Sequence, residues 1–457
     1  MATKRNASSH LRRRLRTALR LFPLLLFAVV CYLQFRTLSR FSATVTVPCD
    51  DDTSQRAAVD GLLDRLRASV TFLPLRDPRK REGEWFISAL NDSSEPEGEA
   101  RNLVLPSAAS SGRVLCVRAP PRSDAAYALA WRDALPRGAA LRPGLTFVSE
   151  MSYDYRNLWH GLSALVPFAS WHAWGGCAAA PERWALFHHG AAVRTGASGW
   201  LASLAEAATG REMVLETFRD AAADGAGTAA CFEEAVVFRR QMNGLSRERL
   251  LGAFDFMRCK ARARCGVVDA PRRDMSALRV TLLFRTGARA FKDEATVERV
   301  FRAECAGVAG CAITAAHSNN LTFCDQVRLL SATDVLISAH GAQLTNLMFM
   351  ERNSSVMEFY PLGWRQRAGG GQFVYRWMAD RAGMRHEGSW WDPHGEPCPD
   401  SPDILSCYKN RQIGHDEAYF ARWAARVFAA ARERKARRRR EALGEERQPE
   451  AAACGCR

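Results

Sequence analysis

Charged side chains that could bind an anion follow two apolar runs in the second half of the chain. Arg285 and Arg289 follow the run LRVTLLF (278–284), and His340 follows the run VLISA (335–339). The planar guanidinium of arginine can donate two hydrogen bonds to phosphate oxygens, and such charge-assisted hydrogen bonds are about twice as strong as neutral ones. These residue types at the ends of buried strands indicate an anion site.

The segment after the histidine offers further groups to the same anion. Gly341 lets a ligand approach the backbone closely, and a helix-like run follows Ala342 from Gln343 to Phe349, with Thr345 and Asn346 in its first turn. Unpaired amides at a helix N-terminus carry partial positive charge and suit a diphosphate. The alternative is a helix-capping loop whose histidine bonds a neighbouring carbonyl, and spacing alone leaves both open.

A carboxylate interrupts a third apolar run. Glu358 lies in SVMEFYP (355–361). Burying a carboxylate in such a strand costs free energy unless it is paired with another group or binds a ligand. We predict that it accepts hydrogen bonds from ribose hydroxyls, and a surface glutamate paired with an arginine is the alternative. Three strand ends of one sheet would then present Arg, His-Gly-Ala and Glu, which together favour a nucleotide-diphosphate ligand.

The elements that must position these residues alternate between strand and helix patterns, which predicts an α/β protein. From residue 277 the order is βαβαβαβ, typical of a doubly wound sheet that binds ligands at its carboxyl edge. Earlier runs also alternate, with a helix over 157–171 that we expect to break at Pro167. The predicted segments are 1–20 (basic tail), 21–38 (membrane segment), 39–100 (stem), 101–270 and 277–420 (folded halves) and 421–457 (basic tail). A last helix near 417–440 leads into this basic tail, which we expect to be a solvated end.

Several familiar motifs are missing from the sequence. It contains no G-x-G-x-x-G, no G-x-x-x-x-G-K-[ST] and no G-x-S-x-G. The acidic run Asp50-Asp51-Asp52 lies in the stem rather than at a strand end. Because arginines and a helix dipole can offset diphosphate charge, we expect no metal and no cofactor.

The net charge of +15 does not indicate nucleic-acid binding. Residues 1–48 hold nine Lys/Arg and no acid, and residues 421–457 hold eleven Lys/Arg and five Glu, so the ends supply +9 and +6. The remaining 44 basic and 44 acidic residues balance. The folded body is therefore neutral, and we predict no nucleic-acid partner.

The basic N-terminus precedes an apolar stretch, residues 21–35, which we extend to 38 as a signal-anchor with the body in the lumen. A cleaved signal peptide is the alternative. Fourteen cysteines fit an oxidising lumen, with Cys259/Cys265 and Cys305/Cys311 as close pairs. Asn91, Asn320 and Asn353 lie in glycosylation sequons.

Three stretches resemble glycosyltransferase family 61. They are VTLLFRTGAR, TDVLISAHGAQLTNLMFMERNSSVMEFYPLGW and YDYRNLWHGLSALVPF, and the resemblance covers about residues 100–400. It implies a GT-B-like fold of two Rossmann-like domains facing a cleft, with an N-terminal membrane anchor in the Golgi or ER. It also implies inverting, metal-independent transfer of xylose, arabinose or N-acetylglucosamine from a UDP-sugar to a glycan or protein.

The resemblance also assigns roles. Residues 101–270 would be the acceptor-side domain, and 277–420 would bind the nucleotide sugar. The carried-over residues are Arg285 and Arg289 for the diphosphate, His340, Gly341 and Ala342 for the nucleotide, Glu358 for ribose, and Asn157 and His160 for the cleft wall.

One position departs from the family pattern. Many members carry an Asp four residues after the motif histidine, where it could act as general base, but this chain has Ala164. His160 itself, or the nearby acids Asp154 or Glu150, would then have to serve. The alternative is a catalytically impaired chain that binds UDP or glycan within a complex of other transferases.

Overall fold

The computed structural model describes residues 29–33, 52–74, 102–118, 126–150, 157–187, 198–217, 229–238, 245–267, 277–395, 397–400 and 402–444. Residues 65–457 form one compact unit that contains two β-sheets, and residues 1–64 form another. The strands are β1 (Leu73–Pro74), β2 (Asn102–Leu105), β3 (Val114–Arg118), β4 (Ala126–Ala130), β5 (Ala140–Glu150), β6 (Arg183–Phe187), β7 (Val214–Thr217), β8 (Ala230–Phe238), β9 (Leu278–Phe284), β10 (Cys311–His317), β11 (Val335–Ala339), β12 (Ser355–Tyr360) and β13 (Arg385–Trp391).

Helices alternate with many of these strands along the chain. They are α1 (Asp52–Ala68), α2 (Leu158–Trp174), α3 (Gly199–Thr209), α4 (Arg247–Arg264), α5 (Glu294–Ala306), α6 (Phe323–Ser331), α7 (Trp364–Arg367), α8 (Val374–Arg381), α9 (Ile404–Asn410) and α10 (Glu417–Gly444), with 3₁₀ helices at Ser318–Asn320, Ala342–Phe349 and Gly369–Phe373. Of the predicted membrane segment 21–38, only residues 29–33 are described, and they are helical. No helix among the described residues has the length and apolar character needed to cross a membrane.

The second sheet is parallel throughout and confirms the βαβ pattern expected from the sequence. Its strand order is β10-β9-β11-β12-β13. The chain moves from β9 outward to β10 and then returns to the other side of β9 as β11. The crevice between the carboxyl ends of β9 and β11 is therefore a topological switch point, where open α/β sheets bind their ligands.

Helices cover both faces of this sheet. On one face α5 and α10 bury Phe301, Phe420, Trp423 and Phe428 against strand residues such as Phe359. On the other face α6, α8 and the 3₁₀ helix Ala342–Phe349 pack with the first half of the chain. The near-continuous apolar strands of a parallel sheet need cover on both sides, and these helices supply it.

The expectation of a solvated basic end from residue 421 is wrong for the described residues up to 444. Helix α10 packs on the sheet, and the ammonium of Lys435 is buried, bonding Asp334 Oδ2 and Ala277 O at 2.6 Å each. Arg434 pairs with Glu387 at 2.9 Å. Basic composition suggested a solvated end, but the apolar stripe through Trp423 and Phe428 determines where the helix lies.

The first sheet is mixed, which corrects the Rossmann-like prediction for residues 101–270. Strands β8-β5-β6-β7 run parallel, whereas β1, β4, β3 and β2 extend the sheet by antiparallel pairing. The reason is chain length. A parallel crossover needs a dozen or more residues, and the connection between β3 and β4, which pair with each other, is shorter.

Helix α2 does not break at Pro167 as the sequence suggested. It continues from Leu158 to Trp174 with every residue from Gly161 to Ser170 buried. An internal proline costs a helix about 3 kcal/mol, and burial of large groups such as Phe168 outweighs that cost here. One unbroken helix thus connects the carboxyl end of β5 to the core.

One hydrophobic cluster spans both halves, and each half also has buried apolar clusters of its own. Helices α2, α3 and α4 pack against the 3₁₀ helix Ala342–Phe349 and against α6. The indole of Trp200 donates to Asn346 Oδ1 at 3.0 Å, and Arg258 donates to Met348 O at 2.8 Å. These contacts hold the first half firmly against the loop that follows β11, while the GT-B arrangement itself remains a prediction.

One disulfide, Cys265–Cys324, supports the same connection between the halves. The described pairs are Cys116–Cys231, Cys265–Cys324, Cys305–Cys311 and Cys398–Cys407. The predicted Cys305/Cys311 pair is confirmed. The predicted Cys259/Cys265 pair is wrong, because Cys265 at the end of α4 lies next to Cys324 at the start of α6.

Candidate functional site

The predicted strand-end residues meet at the switch point of the second sheet. Arg285 follows β9 directly, and Arg289 lies four residues further along the same loop. His340 follows β11, the strand paired with β9, and Glu358 lies in β12, the next strand over. The sheet register therefore brings together groups that are up to 73 residues apart, Arg285 to Glu358, in the sequence.

The two guanidinium groups lie side by side and are largely shielded from solvent. Arg285 Nη1 donates to His340 O at 3.2 Å and to Gln343 Oε1 at 3.3 Å. The guanidinium of Arg289 lies 5.0 Å above the ring of Trp364. Within the described chain neither arginine forms an ion pair with a carboxylate, so positive charge at this point is not balanced by protein groups.

Burial makes this charge costly. It lowers the pKa of Arg285, and burial together with repulsion from Arg285 lowers the pKa of Arg289 to about 10. Both groups stay protonated at neutral pH, and the Nε atom of each is buried without a hydrogen-bond partner. A bound anion would supply both the missing acceptors and the missing countercharge.

The backbone of Arg289 is held in the left-handed region, at φ 59°. Its N–H donates to Arg411 O at 2.8 Å, and Ile413 N donates back to Ala290 O at 2.8 Å. The segment that carries Arg411 is in turn closed by the disulfide Cys398–Cys407. The arginine loop is thus fixed from outside the sheet, which orients the guanidinium towards the switch point.

Gly341 has a different role from the predicted one. Its φ of 160° is ordinary extended backbone, so conformation does not require glycine. Sterics do, because a Cβ at this position would overlap the Arg285 Nη1 atom and crowd Gln343 Oε1. The space that we assigned to an approaching ligand is occupied by the arginine side chain.

We therefore expect Gly341→Ala to displace the Arg285 guanidinium. Losing one charge-assisted hydrogen bond costs about 1.5–3 kcal/mol, which is about 10–100-fold in the Kd for a nucleoside diphosphate. Calorimetric titration with UDP would measure it. Gly370→Ala is the matched control, because the nearest atom to its Cβ would be Trp377 Cη2 at 3.9 Å. Equal Kd values for wild type and both variants would contradict this explanation of Gly341.

Glu358 is placed too deep to bind a ribose, and this corrects its predicted role. Its side chain is 0% exposed and both carboxylate oxygens are occupied. His340 Nδ1 lies 2.7 Å from Oε1, and His386 Nε2 lies 2.8 Å from Oε2. Although burial alone would raise the pKa of Glu358, the two histidine bonds lower it to about 2, so the group is ionised.

Aromatic rings enclose His340. Its ring stacks on Tyr360 at 4.7 Å, and Trp364 and Tyr375 each lie 5.3 Å away. Because these rings exclude water, burial lowers the pKa of His340, and the ring is neutral at neutral pH. With Nδ1–H donating to Glu358, the free position on the ring is Nε2.

Two further predicted contacts lie inside the protein. Thr345 and Asn346 are fully buried, and the Asn346 side chain bonds Trp200 and Gln343 O. They fix the 3₁₀ helix and do not face a ligand. Ala342, the first residue of that helix, is half-buried and remains at the crevice.

The first half of the chain reaches the same place through α2. Asn157 caps this helix, its Oδ1 accepting from Trp159 N at 3.1 Å. Trp159 packs edge-on against Tyr375 at 6.3 Å, and Tyr375 contacts His340. His160 is half-buried and follows Trp159 in the first turn of α2.

The position that lacks the family aspartate is part of the core. Ala164 is 5% exposed, and its neighbours in the cluster include Phe168 and Phe254. A carboxylate there would be desolvated without an evident partner in the described residues. Of the alternative bases, Asp154 lies outside the described residues, and Glu150 is described only as the backbone end of β5.

The structure describes two of the three predicted glycosylation sites. Asn320 and Asn353 are exposed, as modification requires, and Asn91 lies outside the described residues. Four further residues of the site were not predicted from the sequence: Gln343, Trp364, Tyr375 and His386. Gln343 could have been found from its position two residues after the glycine, but His386 gave no signal because only the sheet brings it to Glu358.

The protein has an α/β fold, and the strand-end crevice of its second sheet carries two arginines whose charge suits an anionic ligand. Residues 159–357 match the model of the family described as Glycosyltransferase 61. The match confirms the resemblance of this part of the chain, which includes His160, Arg285, Arg289 and His340, to glycosyltransferase family 61. No curated protein matches the chain significantly.

Proposed function

We propose that the chain is an inverting glycosyltransferase that moves a sugar from a UDP-sugar to a glycan or protein acceptor. The observation that carries the proposal is the pair Arg285 and Arg289, two buried cations without a protein counter-ion at the switch point of the sheet. The diphosphate of the donor supplies that counter-ion. His340, whose Nε2 is free, supplies a further polar contact.

The two arginines also provide the charge that a divalent cation provides in other transferases. Each adds one full positive charge next to the leaving diphosphate, where stabilisation of developing negative charge accelerates group transfer. In the proposed mechanism the donor needs no metal, and the acceptor hydroxyl approaches from the side of α2. His160 acts as the general base and removes the hydroxyl proton as the new bond forms and the UDP leaves.

We further propose a lumenal location in the Golgi or ER, with residues 21–38 as the anchor. The disulfides among the described residues form readily in an oxidising compartment and support this location. Exposed sequons at Asn320 and Asn353 are consistent with it.

A second function, binding of UDP or glycan without turnover, is favoured by one observation. Ala164 sits in the apolar core where relatives carry an aspartate, so the general base is not evident in the described residues. In that case the chain would act as a scaffold for other transferases. Turnover separates the two functions.

A donor screen tests the proposed transfer. UDP release from UDP-xylose, UDP-arabinose and UDP-N-acetylglucosamine would be measured with glycan acceptors, with and without EDTA. We expect release from one donor that EDTA does not abolish and that Arg285→Gln/Arg289→Gln removes. UDP binding without release from any donor would favour the scaffold, and absence of both binding and release would contradict the proposal.

A further inference from the structure

A buried carboxylate shared by two histidines lies directly behind the switch point. Glu358 is 0% exposed, and the side chains of His340 and His386 are 8% and 7% exposed. A carboxylate accepts hydrogen bonds and donates none, so each histidine must present an N–H to it. The arrangement therefore fixes where the ring protons lie.

The two rings are fixed for different reasons. The backbone N–H of Gly388 donates to His386 Nδ1 at 3.4 Å, which leaves the His386 proton on Nε2, facing Glu358. His340 uses Nδ1–H for the same carboxylate, so its Nε2 is the only position that can gain a proton. Nothing in the described chain hydrogen-bonds this Nε2.

Opposing charges surround His340. The cations Arg285 and Arg289 face it from the loop after β9 and disfavour an imidazolium. Glu358, on β12, favours one. The other titratable groups around it are Tyr360 on β12, His386 on β13 and Tyr375 on α8, and burial raises the pKa of both tyrosines, so they stay neutral.

A bound diphosphate changes this balance. Its negative charge offsets the two arginines that oppose protonation of His340, while Glu358 continues to support the imidazolium from the other side. Charging Nε2 also turns it from an acceptor into a donor to a phosphate oxygen. Protonation and diphosphate binding thus favour each other.

We propose that Glu358 and His386 are positioning residues that let His340 take up one proton at Nε2 when a nucleoside diphosphate binds. The inference rests on the proposed function. The proton comes from solvent on binding and returns to it on release, so no other reactant is needed. Affinity then rises as pH falls, by up to about tenfold per pH unit, between the His340 pKa of the free and bound protein.

Calorimetry of the full-length chain with UDP, in buffers of different ionisation enthalpy, measures the proton directly. The titrations would be run between about pH 7.5 and 8.5, because the terminal phosphate loses its last proton near about pH 6. We expect uptake of up to about one proton per UDP. No UDP binding at any pH would overturn both this inference and the proposed function. Binding without uptake would overturn the inference alone.

Two variants test the positioning role. Glu358→Gln keeps the shape but removes the charge, so proton uptake and the pH slope of the Kd should disappear while UDP still binds. Glu387→Gln is the matched control, because Glu387 lies one residue after His386 and pairs with Arg434 instead. It should retain uptake. If Glu358→Gln does not fold, His340→Gln should also bind without uptake, and uptake that survives in either variant would overturn the assignment.

Discussion

Replacing both Arg285 and Arg289 by glutamine should weaken UDP binding by about 10²–10⁴-fold. Each guanidinium contributes charge-assisted hydrogen bonds of about 1.5–3 kcal/mol, and the pair together about 3–6 kcal/mol. The expected effect is large because, in the proposed site, the diphosphate is the counter-ion of both arginines, which have no carboxylate partner in the described residues. Calorimetric titration of wild type and the double variant measures it.

The same substitution should leave the folded state intact. Two buried like charges oppose each other, so their removal should keep or slightly raise the melting temperature while binding is lost. Arg365→Gln is the matched control, since Arg365 is exposed and lies 5.8 Å above the ring of Trp391. Unchanged UDP affinity in the double variant, or equal loss in the control, would place the nucleotide elsewhere.

His160→Gln should lower turnover by about 10²–10⁴-fold, the contribution typical of a general base. The Kd for UDP should stay within about twofold, because in the proposed site the strand-end arginines, and not His160, bind the diphosphate. His160 follows Trp159, whose ring contacts Tyr375, and Tyr375 in turn packs against His340. Ala164, at the position of the family aspartate, is buried and has no side-chain group that can accept a proton.

Initial rates of UDP release at saturating donor separate turnover from binding. His172→Gln, at the other end of α2, is the matched control, and it should affect stability more than rate because His172 is buried. If His160→Gln retains full turnover, the proton goes to another group, with Asp154 and Glu150 as the next variants. A wild type without turnover on any donor would favour the scaffold.

Apolar periodicity was enough to predict the second sheet and the strand ends that carry the site. The runs before Arg285 and His340 are buried parallel strands, as their composition indicates. Their adjacency follows from the strand order, which the βαβ rule makes foreseeable. Local pattern therefore predicted which residues would meet.

The functions of those residues depended on partners that sequence does not reveal. Glu358 was expected to face a ligand, but His386, 28 residues later, takes its second oxygen. Gly341 was expected to admit a ligand, but the Arg285 side chain, from another strand, fills its space. Each correction comes from a long-range contact, and such contacts carry no local signal.

Two other expectations, one from the basic composition of a segment and one from an internal proline, were wrong. The basic C-terminal segment was expected to be solvated, but Phe420 and Phe428 bury one face of α10 against the sheet. Pro167 was expected to end a helix, but packing on all sides of α2 keeps it continuous. In both cases tertiary burial outweighs a local preference, as happens where a core is large.

A calorimetric comparison of UDP and UMP in the presence of EDTA tests whether the crevice is a diphosphate site that works without a metal. Two arginines facing two phosphates predict saturable UDP binding in the chelator, at least about tenfold tighter than UMP, since the second phosphate adds about 1.5–3 kcal/mol. Equal affinity for UDP and UMP, or UDP binding that disappears with EDTA and returns with a divalent cation, would contradict it.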